Sequence, residues 1–598
     1  MRPEIRKLKY CALVSAAMVL LSLLPQIHLW KIRGREWNGA YVSSQGDEFL
    51  YSAYINALIE GRTRKNDPFA GRDNRAKSPL PESAFSIQFI PPYVISFLAR
   101  IFGSSASTAM IALIAVAGFF GSLSVFWLLK AVVGDYRVAT AGTFFVLCVG
   151  GLAGGGFYPT LPFLRRYQPA AAFSLFFVFN VLVWYSFTSP IKRRARISLI
   201  LAGVTLGVLI FSYLYLWTAA IAWLGCLGLL WFFFRPSERR RAAEVLTTIG
   251  ITTALALLPY GYLVFHRSPS LDEQQTLAST RQLDLLQIPE VVGVLILVAL
   301  ALGVWRRKFQ VNEPRVIYAA SLALFPFVVF NQQVLTGKSM QPHHFALFVA
   351  NYAVLLGVVL CLALLWKTIS SRMLIWIVAL SFSLGLIEVG LPSRLATVPT
   401  AVANDGMVPV LQRLKEVSTE DDRLAFLRGE GRPSMLVFSP NVSAILILPT
   451  WTSQGTLLDM GGLDFGSVSS QERKRFFYMH LYYSKADAQL LRSALKGATD
   501  NIELNYYAQS VIFGHERVLD VLSYHYQPIQ DNEIEREVQN YQAYIDSFSR
   551  DEVMKRPIGY AIIPDPGNFD FTNLDLWYER DGDEQVGAYT LYRLRLRN

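Results

Sequence analysis

The chain has 598 residues, of which 53% are hydrophobic and 17% charged, and its mean hydropathy is +0.32. These values exclude an ordinary soluble protein and predict an integral membrane domain followed by a soluble domain. The formal net charge of +11 does not indicate nucleic-acid binding, because the basic residues cluster at the ends of apolar runs, as membrane orientation signals do.

The first apolar run, residues 10–30, follows a short segment that contains four basic residues. A cleaved signal peptide begins in a similar way, but this run is too long for its hydrophobic region and lacks a small-x-small cleavage site. We therefore predict a retained first membrane span with the N-terminus in the cytoplasm.

The loop after this span, residues 31–106, is long and carries apolar and aromatic residues throughout, which argues against disorder. Its sequence GDEFLY at residues 46–51 places Asp47 and Glu48 just outside the membrane, where a carboxylate is suited to act as a general base. Apolar residues then recur at helical spacing, which predicts an amphipathic helix along the membrane surface that ends at Gly61.

Asp47 has two interpretations. The sequence SQGD at residues 44–47 resembles a capping box, in which Asp47 lies in the first helical turn and is favoured by the helix dipole. Alternatively, Asp47 performs chemistry on a membrane-borne substrate. The two interpretations are compatible, because a helix N-terminus keeps a carboxylate ionised, as a base must be.

The segment 83–102 (SAFSIQFIPPYVISFLARIF) is apolar enough to form a further span. Counting it as one would place the basic cluster 192–196 and all later clusters outside, against the positive-inside rule. The pair Pro91-Pro92 would also break a spanning helix. We predict instead an interfacial helix that belongs to the first outer loop.

The remaining apolar runs bring the predicted total to eleven spans, and the basic clusters between them are placed inside. An odd number of spans puts the C-terminal domain outside. The predicted spans lie near residues 10–30, 107–129, 138–157, 169–188, 197–213, 216–234, 245–265, 288–305, 316–331, 345–366 and 373–391.

The four cysteines all fall in predicted spans and are therefore expected to be packing residues, without a disulfide or a metal site. They are Cys11, Cys148, Cys226 and Cys361.

The outer loop between the third and fourth spans contains Arg165 and Arg166, which break the orientation rule. We interpret this pair as a binding site for a lipid phosphate. The alternative is that both side chains extend toward anionic lipid headgroups.

The loop between the ninth and tenth spans, residues 331–344 (NQQVLTGKSMQPHH), is densely polar at a membrane boundary, which is costly unless it lines a cavity. Lys338, His343 and His344 are candidates for contact with a phosphate. Adjacent histidines rarely point at one ion, so we predict no metal here. The pair His266-Arg267 at the end of the seventh span is a further candidate, or an interface anchor.

Residues 393–598 alternate helical and strand patterns, which predicts a small α/β domain. They contain no Gly-rich phosphate loop, nucleophile motif or metal-ligand spacing, and His480, His515 and His525 are interpreted as surface or core residues. The predicted strands are 435–438, 444–448, 558–563 and 589–596, and the predicted helices are 470–483, 486–495 and 532–548.

These features together resemble the GT-C glycosyltransferases, in particular the protein O-mannosyltransferases and the lipid A aminoarabinose transferases. The resemblance is carried by DEFLY at 47–51 with NALIEG at 56–61, and by Pro91-Pro92-Tyr93 with Ile101-Phe102-Gly103. It covers roughly the first 130 residues well and the later spans only by architecture. The implied fold is a polytopic α-helical GT-C-like domain, residues 1–392, followed by an extracytoplasmic α/β domain, residues 393–598.

Membership of this family would imply an inverting transfer of a sugar from a polyprenyl-phosphate-linked donor to a glycan, lipid or protein acceptor outside a bacterial cell membrane. By the resemblance, Asp47 is the general base, Glu48 a supporting acid, and Tyr51 packs or hydrogen-bonds beneath Asp47. Carboxylate and cationic groups of this kind suit the acceptor hydroxyl and the leaving phosphate. No cofactor is predicted, and a divalent metal is not excluded.

The sequence departs from the family pattern at two places. The aminoarabinose transferases have a Lys beside the Pro-rich helix, where this chain has Gln88. Gln88 is assigned to substrate binding, but it cannot replace a cation, so the phosphate must be held by other loops. The loop before the fourth span also lacks an acidic residue, which makes a carboxylate-held metal less expected.

Two other functions remain open. A transporter or lipid flippase would have ionisable residues in mid-span or internal repeats with broken helices, whereas here the polar groups gather at the outer side. A non-catalytic relative that binds a lipid-linked glycan would keep the fold and lose the need for Asp47 as a base.

Overall fold

The computed structural model describes residues 3–152, 161–274, 278–366, 369–427, 436–518, 528–564 and 566–597. Long apolar helices form one part of the molecule, and shorter helices with a mixed sheet form the other. The predicted fold class, a polytopic helical membrane protein with a C-terminal α/β domain, is confirmed.

The helices up to residue 427 alternate long spans with short loop helices. In chain order they are α1 (Pro3–Arg33), α2 (Asp47–Ile59), α3 (Ala84–Ile87), α4 (Ile90–Ile101), α5 (Ala106–Val133), α6 (Tyr136–Val149), α7 (Ala170–Thr188), α8 (Lys192–Ile210), α9 (Leu214–Phe234), α10 (Arg239–Phe265), α11 (Ser270–Gln274), α12 (Ile288–Trp305), α13 (Pro314–Val329), α14 (Gln333–Thr336), α15 (Pro342–Phe345), α16 (Asn351–Leu365), α17 (Ser371–Pro392) and α18 (Val398–Leu427). Two π-helical turns, Ala346–Ala350 and Ser393–Thr397, join α15 to α16 and α17 to α18.

Among the described residues, nine helices are long and apolar enough to cross a membrane. The other two predicted spans coincide with α6, which has 14 residues, and α8, which begins with four basic residues. The predicted end of the third span, residues 153–157, lies outside the described residues. The spans pack through α1 on α5, α7 on α5 and α8, α9 on α13, and α6 on α17.

The segment 83–102 does not span. It forms α3 and then α4, whose 12 residues reach about 18 Å and are too short for a membrane crossing. One face of α4 is exposed and apolar, including Val94, Phe97 and Ile101, as an interfacial helix requires.

The elements that follow α18 form the C-terminal part of the chain, which we call the outer domain after its predicted location. The strands, including two short pairs in the membrane part, are β1 (Asn66–Asp67), β2 (Arg72–Asp73), β3 (Ala278–Ser279), β4 (Lys338–Ser339), β5 (Leu436–Phe438), β6 (Gly455–Thr456), β7 (Ile558–Pro564), β8 (Tyr578–Val586) and β9 (Tyr589–Leu596). The further helices are α19 (Val442–Trp451), α20 (Gly462–Phe465), α21 (Ser470–Tyr483), α22 (Ala488–Leu495), α23 (Ile502–Phe513), α24 (His515–Val518), α25 (Asp531–Asp546), α26 (Arg550–Lys555) and α27 (Thr572–Asp575).

The outer domain is built on a five-stranded mixed sheet of order β6-β5-β7-β9-β8. The first three strands of that order are parallel, whereas β9 is antiparallel to both of its neighbours. The predicted strands at 558–563 and 589–596 and the three predicted helices are confirmed within three residues. Of the strand predicted at 435–438, β5 covers Leu436–Phe438, and Met435 lies outside the described residues.

The strand predicted at 444–448 is wrong, because these residues lie inside α19. The helix begins at an Asn441 cap that accepts a hydrogen bond from the Ala444 backbone N–H at 3.1 Å. Its apolar run has no polar face because α19 packs between α2 and the sheet, with Ile445 and Leu448 buried. A short apolar run of this kind cannot be assigned to helix or strand by its periodicity.

The predicted membrane-surface position of α2 is also wrong. Its residues from Glu48 to Leu58 are all buried, because α4, α5 and α19 cover the helix. Together with the aromatic side chains of the first outer loop and residues of α18 and the sheet, α2 forms a core of its own. The helix ends at Ile59 with Glu60 as its C-cap, so the predicted end is confirmed within two residues. Gly61 follows the cap with a φ of +91°, which favours glycine.

Candidate functional site

Two successive carboxylates at the start of α2 pair with two successive arginines. Asp47 forms an ion pair with Arg165, and Glu48 forms one with Arg166, with 2.9 Å between Oε2 and Nη1. The arginines follow the 3₁₀ turn Pro162–Leu164 that precedes α7. The first and second outer loops therefore meet here, and they bring together candidate residues that are far apart in the sequence.

The predicted capping box is wrong. The N-cap of α2 is Gly46, which provides no side chain, and Asp47 is the first helical residue. The hydroxyl of Ser44 donates instead to Glu48, whose carboxylate also accepts from the Ser44 backbone N–H at 3.3 Å. Asp47 is therefore not the N-cap residue, but it still lies at the positive end of the helix dipole.

Glu48 and Arg166 are buried and bind each other. Glu48 is fully buried, and its carboxylate accepts from the Arg166 backbone N–H at 3.2 Å as well as from the guanidinium. Arg166 donates further to the carbonyls of Val42 and Met110. This pair connects α2 to the second outer loop, and the roles of Glu48 as a supporting acid and of Arg166 as a phosphate ligand stay predictions.

Asp47 is partly exposed, whereas Arg165 is buried. The Asp47 side chain is 30% exposed, and its Oδ1 atom is buried and has no hydrogen-bond partner among the described residues. Arg165 donates to the Tyr51 hydroxyl at 3.0 Å, and that hydroxyl lies 3.5 Å from Asp47 Oδ2. Tyr51 therefore lies beneath the pair, in the position that the resemblance implies.

Aromatic rings surround the Arg165 guanidinium. Its carbon lies 5.6 Å from the centre of the Tyr51 ring and 5.5 Å from that of Phe348. Burial lowers the pKa of Arg165, and nearby Tyr213, Asp464 and Tyr215 oppose that shift. Although its pKa is lowered, Arg165 remains charged at neutral pH, as arginine does in proteins. The site thus holds a buried, permanent cation beside an ionised carboxylate.

The two histidines lie on the same side of this cation. His343 and His344 belong to α15, at the start of a span, and both interact electrostatically with Arg165. The His344 ring lies between Tyr215 and Phe348, with centroid distances of 4.7 and 5.2 Å, and its Nδ1 has no partner among the described residues. Residues from the loop between the ninth and tenth predicted spans therefore lie close to Arg165, and their contact with a phosphate stays a prediction.

The outer domain contributes a carboxylate that sequence reasoning missed. Asp464 lies in α20, whose next residue, Phe465, stacks on Phe85 of α3 at a centroid distance of 4.4 Å. Burial raises the pKa of Asp464 to about 7, against the opposing charges of Arg165 and Arg473. The glycines around it, in the sequence GGLDFG at 461–466, were the signal in the chain, because a tight approach of backbone needs them.

A largely apolar cavity of about 590 Å³ lies beside this cluster, between α3, α9, α10 and α13. Five of its polar lining residues, Arg267, Asp272, Gln332, Thr336 and Lys338, are connected by ion pairs and hydrogen bonds, and we call this group the polar end of the cavity. Gln88 also lines the cavity. The apolar lining consists of Ala84, Ile87, Leu214, Trp217, Ile221, Ala222, Tyr260, Val264, Leu271, Val328, Val329, Met340 and Phe345, with Thr218 among them.

Two contacts connect the cavity with the Asp47 cluster. The Gln168 side chain donates to Gln88 Oε1 at 2.6 Å and to the Ser212 carbonyl at 3.2 Å. On the other side, Phe345 lines the cavity and follows His344 directly in α15. The predicted substrate residues therefore fall into two adjacent groups, with Asp47, Tyr51, Arg165, His343 and His344 in one and Gln88 and Lys338 in the other.

Within the part of the chain that the structure describes, no three His, Cys, Asp or Glu side chains lie together as a metal site would require. Arg165 is paired with Asp47 and interacts electrostatically with Asp464.

No family model and no curated protein matches the sequence. Among solved structures, the chain is similar to ArnT from Cupriavidus metallidurans bound to undecaprenyl phosphate, with 12% identity over 96% of this chain and 97% of that one and a TM-score of 0.42. It is also similar to the oligosaccharyltransferase AglB from Archaeoglobus fulgidus in complex with an inhibitory peptide and a dolichol-phosphate, with 12% identity, 98% and 74% coverage, and a TM-score of 0.45. Both are GT-C membrane glycosyltransferases, the class that the first outer loop resembles.

Proposed function

We propose that this protein is an inverting glycosyltransferase that moves a sugar from a polyprenyl-phosphate-linked donor to an acceptor hydroxyl at the outer face of the membrane. The observation that carries the proposal is the partly exposed carboxylate of Asp47, which is paired with Arg165 in a chain that also has a largely apolar cavity lined by Arg267 and Lys338. The donor, a glycan, lipid or protein acceptor and membrane lipid are the expected partners, and nucleic acid is not.

The cavity suits the lipid part of such a donor. Its walls are apolar side chains of membrane helices, which bind isoprene units by burying them from water. At its polar end, Arg267 and Lys338 provide positive charge for a phosphate. Gln88, which also lines the cavity, provides amide hydrogen-bonding groups but no charge, and its role in substrate binding stays a prediction.

Asp47 suits the role of the base. The carboxylate is ionised because Arg165 and the N-terminus of α2 both favour its negative form, and Oδ1 is left without a hydrogen bond. In the transfer, the acceptor oxygen attacks the anomeric carbon of the donor sugar and passes its proton to Asp47. The bond between that carbon and the phosphate oxygen breaks, and the phosphate leaves with the electron pair. Nearby cations such as Arg165 stabilise the negative charge on the leaving phosphate.

The orientation proposed for this chemistry follows the distribution of Lys and Arg, with the N-terminus in the cytoplasm and the outer domain in the extracytoplasmic space of a bacterial inner membrane. The outer domain then covers the site from outside through α20, which rests on α3.

The test compares the wild-type protein with Asp47→Asn in lipid nanodiscs. A panel of undecaprenyl-phosphate-linked sugars is supplied with a cell-envelope acceptor fraction, and the release of undecaprenyl phosphate is measured. We expect Asp47→Asn to reduce the rate by about 10²- to 10⁴-fold while donor binding is retained. Glu60→Gln, which alters an exposed ion pair with Lys415 at the other end of α2, is the matched control.

Equal turnover by wild type and Asp47→Asn would contradict the proposal. Movement of the lipid-linked sugar across the bilayer that survives the substitution would instead support a flippase. Donor binding without turnover in the wild-type protein, with every donor of the panel, would support a non-catalytic glycolipid-binding protein.

A further inference from the structure

The polar end of the 590 Å³ cavity contains three charged side chains among its lining residues. They are Arg267, Asp272 and Lys338, so that two positive charges and one negative charge leave a net charge of +1. Asp272 is unexpected there, because a site for an anion is weakened by a carboxylate within it.

Asp272 binds both cations. It accepts from Arg267 through two parallel hydrogen bonds of 2.8 and 2.9 Å, and it lies 3.7 Å from Lys338 Nζ. The side chains of Arg267 and Asp272 are each about one-third exposed, so the group is open to a ligand. Hydrogen bonding to Arg267 lowers the pKa of Asp272, which keeps this carboxylate charged at neutral pH.

The framework around the three charges is fixed by backbone contacts. The strand β4, which carries Lys338, pairs with β3, which closely follows α11. The Arg267 segment is held by Glu82, whose carbonyl accepts from the Ser268 N–H at 2.8 Å and whose N–H donates to the His266 carbonyl at 2.9 Å. The Glu82 carboxylate is itself paired with Arg64, so Asp272 is the acid that neutralises the cations at the cavity.

We propose that Asp272 sets the charge of the donor site so that it selects a lipid phosphodiester with one negative charge over a phosphomonoester with two. The inference rests on the proposed function, because the substrate of such an enzyme is a phosphodiester and its product is a phosphomonoester on the same lipid. A site of net charge +1 matches the donor, whereas the second charge of the product is repelled by Asp272. The residue therefore favours exchange of product for a new donor.

The charges of the two ligands set the expected ratio between the changes in their binding free energies. Removal of one negative charge from the site changes the binding free energy of a dianion by about twice as much as that of a monoanion at the same position. Because Asp272 is partly exposed, solvent screening reduces both changes. We expect Asp272→Asn to tighten binding of the monoanion about threefold and that of the dianion about tenfold.

The experiment measures binding of two probes to the full-length protein in nanodiscs at pH 8. The probes are undecaprenyl phosphate, which is a dianion at this pH because its second pKa is about 6, and its methyl ester, a phosphodiester with one charge. Glu273→Gln is the matched control, since the neighbouring residue in α11 lies 3.5 Å from Arg473 of the outer domain and changes neither affinity. Asp272→Glu keeps the charge and should therefore bind undecaprenyl phosphate and its methyl ester with the same relative affinity as the wild type.

A larger gain for undecaprenyl phosphate than for its methyl ester in Asp272→Asn supports the inference. Equal changes for both probes, or weaker binding of both, would overturn it and show that Asp272 only holds Arg267 in place. These outcomes leave the proposed function intact, because the wild type still binds a polyprenyl phosphate. If neither probe binds to the wild type or to the variant, the proposed donor class fails, and the inference fails with it.

Discussion

At the scale of single residues, Glu48 and Arg166 show how buried charge fastens the site. Both side chains are almost fully buried, and the Glu48 carboxylate accepts its hydrogen bonds from the second outer loop and from Ser44. Removal of one partner of such a pair leaves an uncompensated charge in the interior. Asp47 depends on this pair, because Glu48 is its neighbour in the first turn of α2.

We therefore expect Glu48→Gln to lower the free energy of unfolding by about 3 kcal/mol. The measurement is thermal unfolding of the purified protein in detergent, followed by intrinsic tryptophan fluorescence. Glu60→Gln, which breaks an exposed ion pair, should cost less than about 1 kcal/mol. A double variant with Glu48→Gln and Arg166→Met should recover part of the lost stability. Equal stability of Glu48→Gln and Glu60→Gln would contradict this account.

Asp464 should affect the pH dependence of donor binding. Its pKa is raised to about 7 by burial, with Arg165, Arg473 and Asp67 as its charged neighbours. As pH rises through 7, the side chain gains a negative charge near Arg165 and should weaken the binding of an anionic donor. We expect the donor KM to rise a few-fold between pH 6 and 8, and to stay level in Asp464→Asn.

A phosphodiester donor is suited to that measurement, because it does not titrate between pH 6 and 8. Asp570→Asn, which alters an exposed carboxylate of the outer domain, serves as the control. If the KM of Asp464→Asn follows the same pH profile as that of the wild type, Asp464 has no influence on the donor.

The sequence allowed part of this site to be predicted for physical reasons. Asp47, Arg165, Lys338 and the two histidines were identified because charge or polarity at the outer membrane boundary is costly without a function. The different roles of Arg165 and Arg166 were not predictable, because the sequence does not show that Arg165 pairs with Asp47 and Arg166 with Glu48. Asp464 was missed because its relevance depends on a long-range contact between α20 and α3.

At the scale of elements, burial explains the two misread segments. A helix that faces water on one side shows a polar stripe, but α2 is covered by α4, α5 and α19, so its sequence carries aromatic and apolar residues on every face. The same holds for α19, whose ten residues are packed between α2 and the sheet. By contrast, α21 begins at a Ser469 capping box and β9 alternates in burial after Tyr592, and both were predicted at their exact bounds.

The exposed face of α4 leads to a prediction about the membrane. Phe97 is 63% exposed, whereas its neighbour Ser96 is 4% exposed and lies against α2. In a variant without the four native cysteines, a nitroxide at Phe97→Cys should be more accessible to oxygen than to a water-soluble relaxation agent. The matched Ser96→Cys label should be shielded from both. Preference of the Phe97 label for the water-soluble agent would contradict an interfacial position for α4.

At the scale of the whole molecule, the first outer loop and the outer domain form one folded body. The domain boundary predicted at residue 392 falls where α17 continues through a π-helical turn into α18, so a helix joins the last span to the outer domain. The core around α2 includes side chains of α18 and of strands β5, β7 and β9. The active-site carboxylate proposed here is therefore positioned by both parts of the chain.

A buried group of charges lies at this junction. Asp67 of the first outer loop faces Asp459 of the outer domain, with Arg473 and Arg556 close to both. Neither carboxylate oxygen of Asp459 has a hydrogen-bond partner among the described residues, and Gly462 approaches one of them so closely that a Cβ would lie 2.6 Å away. Burial and the charge of Asp67 raise the pKa of Asp459 to about 8, despite the opposing charges of Arg556, Arg473 and Arg72.

This shift predicts how the stability of the junction depends on pH. Because the pKa in the folded state exceeds the usual Asp value of about 3.9, the folded protein binds more protons than the unfolded chain between these two values. Stability is therefore lost as pH rises toward 8. We expect Asp459→Asn, which stays neutral, to match the wild type most closely at pH 5 and to gain thermal stability relative to it up to pH 8.

Asp500→Asn, at an exposed position of the same domain, should instead follow the wild type at every pH. A constant difference between Asp459→Asn and the wild type from pH 5 to 8 would mean that Arg473 and Arg556 keep Asp459 ionised throughout. In that case the junction would be an ordinary network of ion pairs, and its stability would respond to salt rather than to pH, because screening weakens paired charges without changing their protonation.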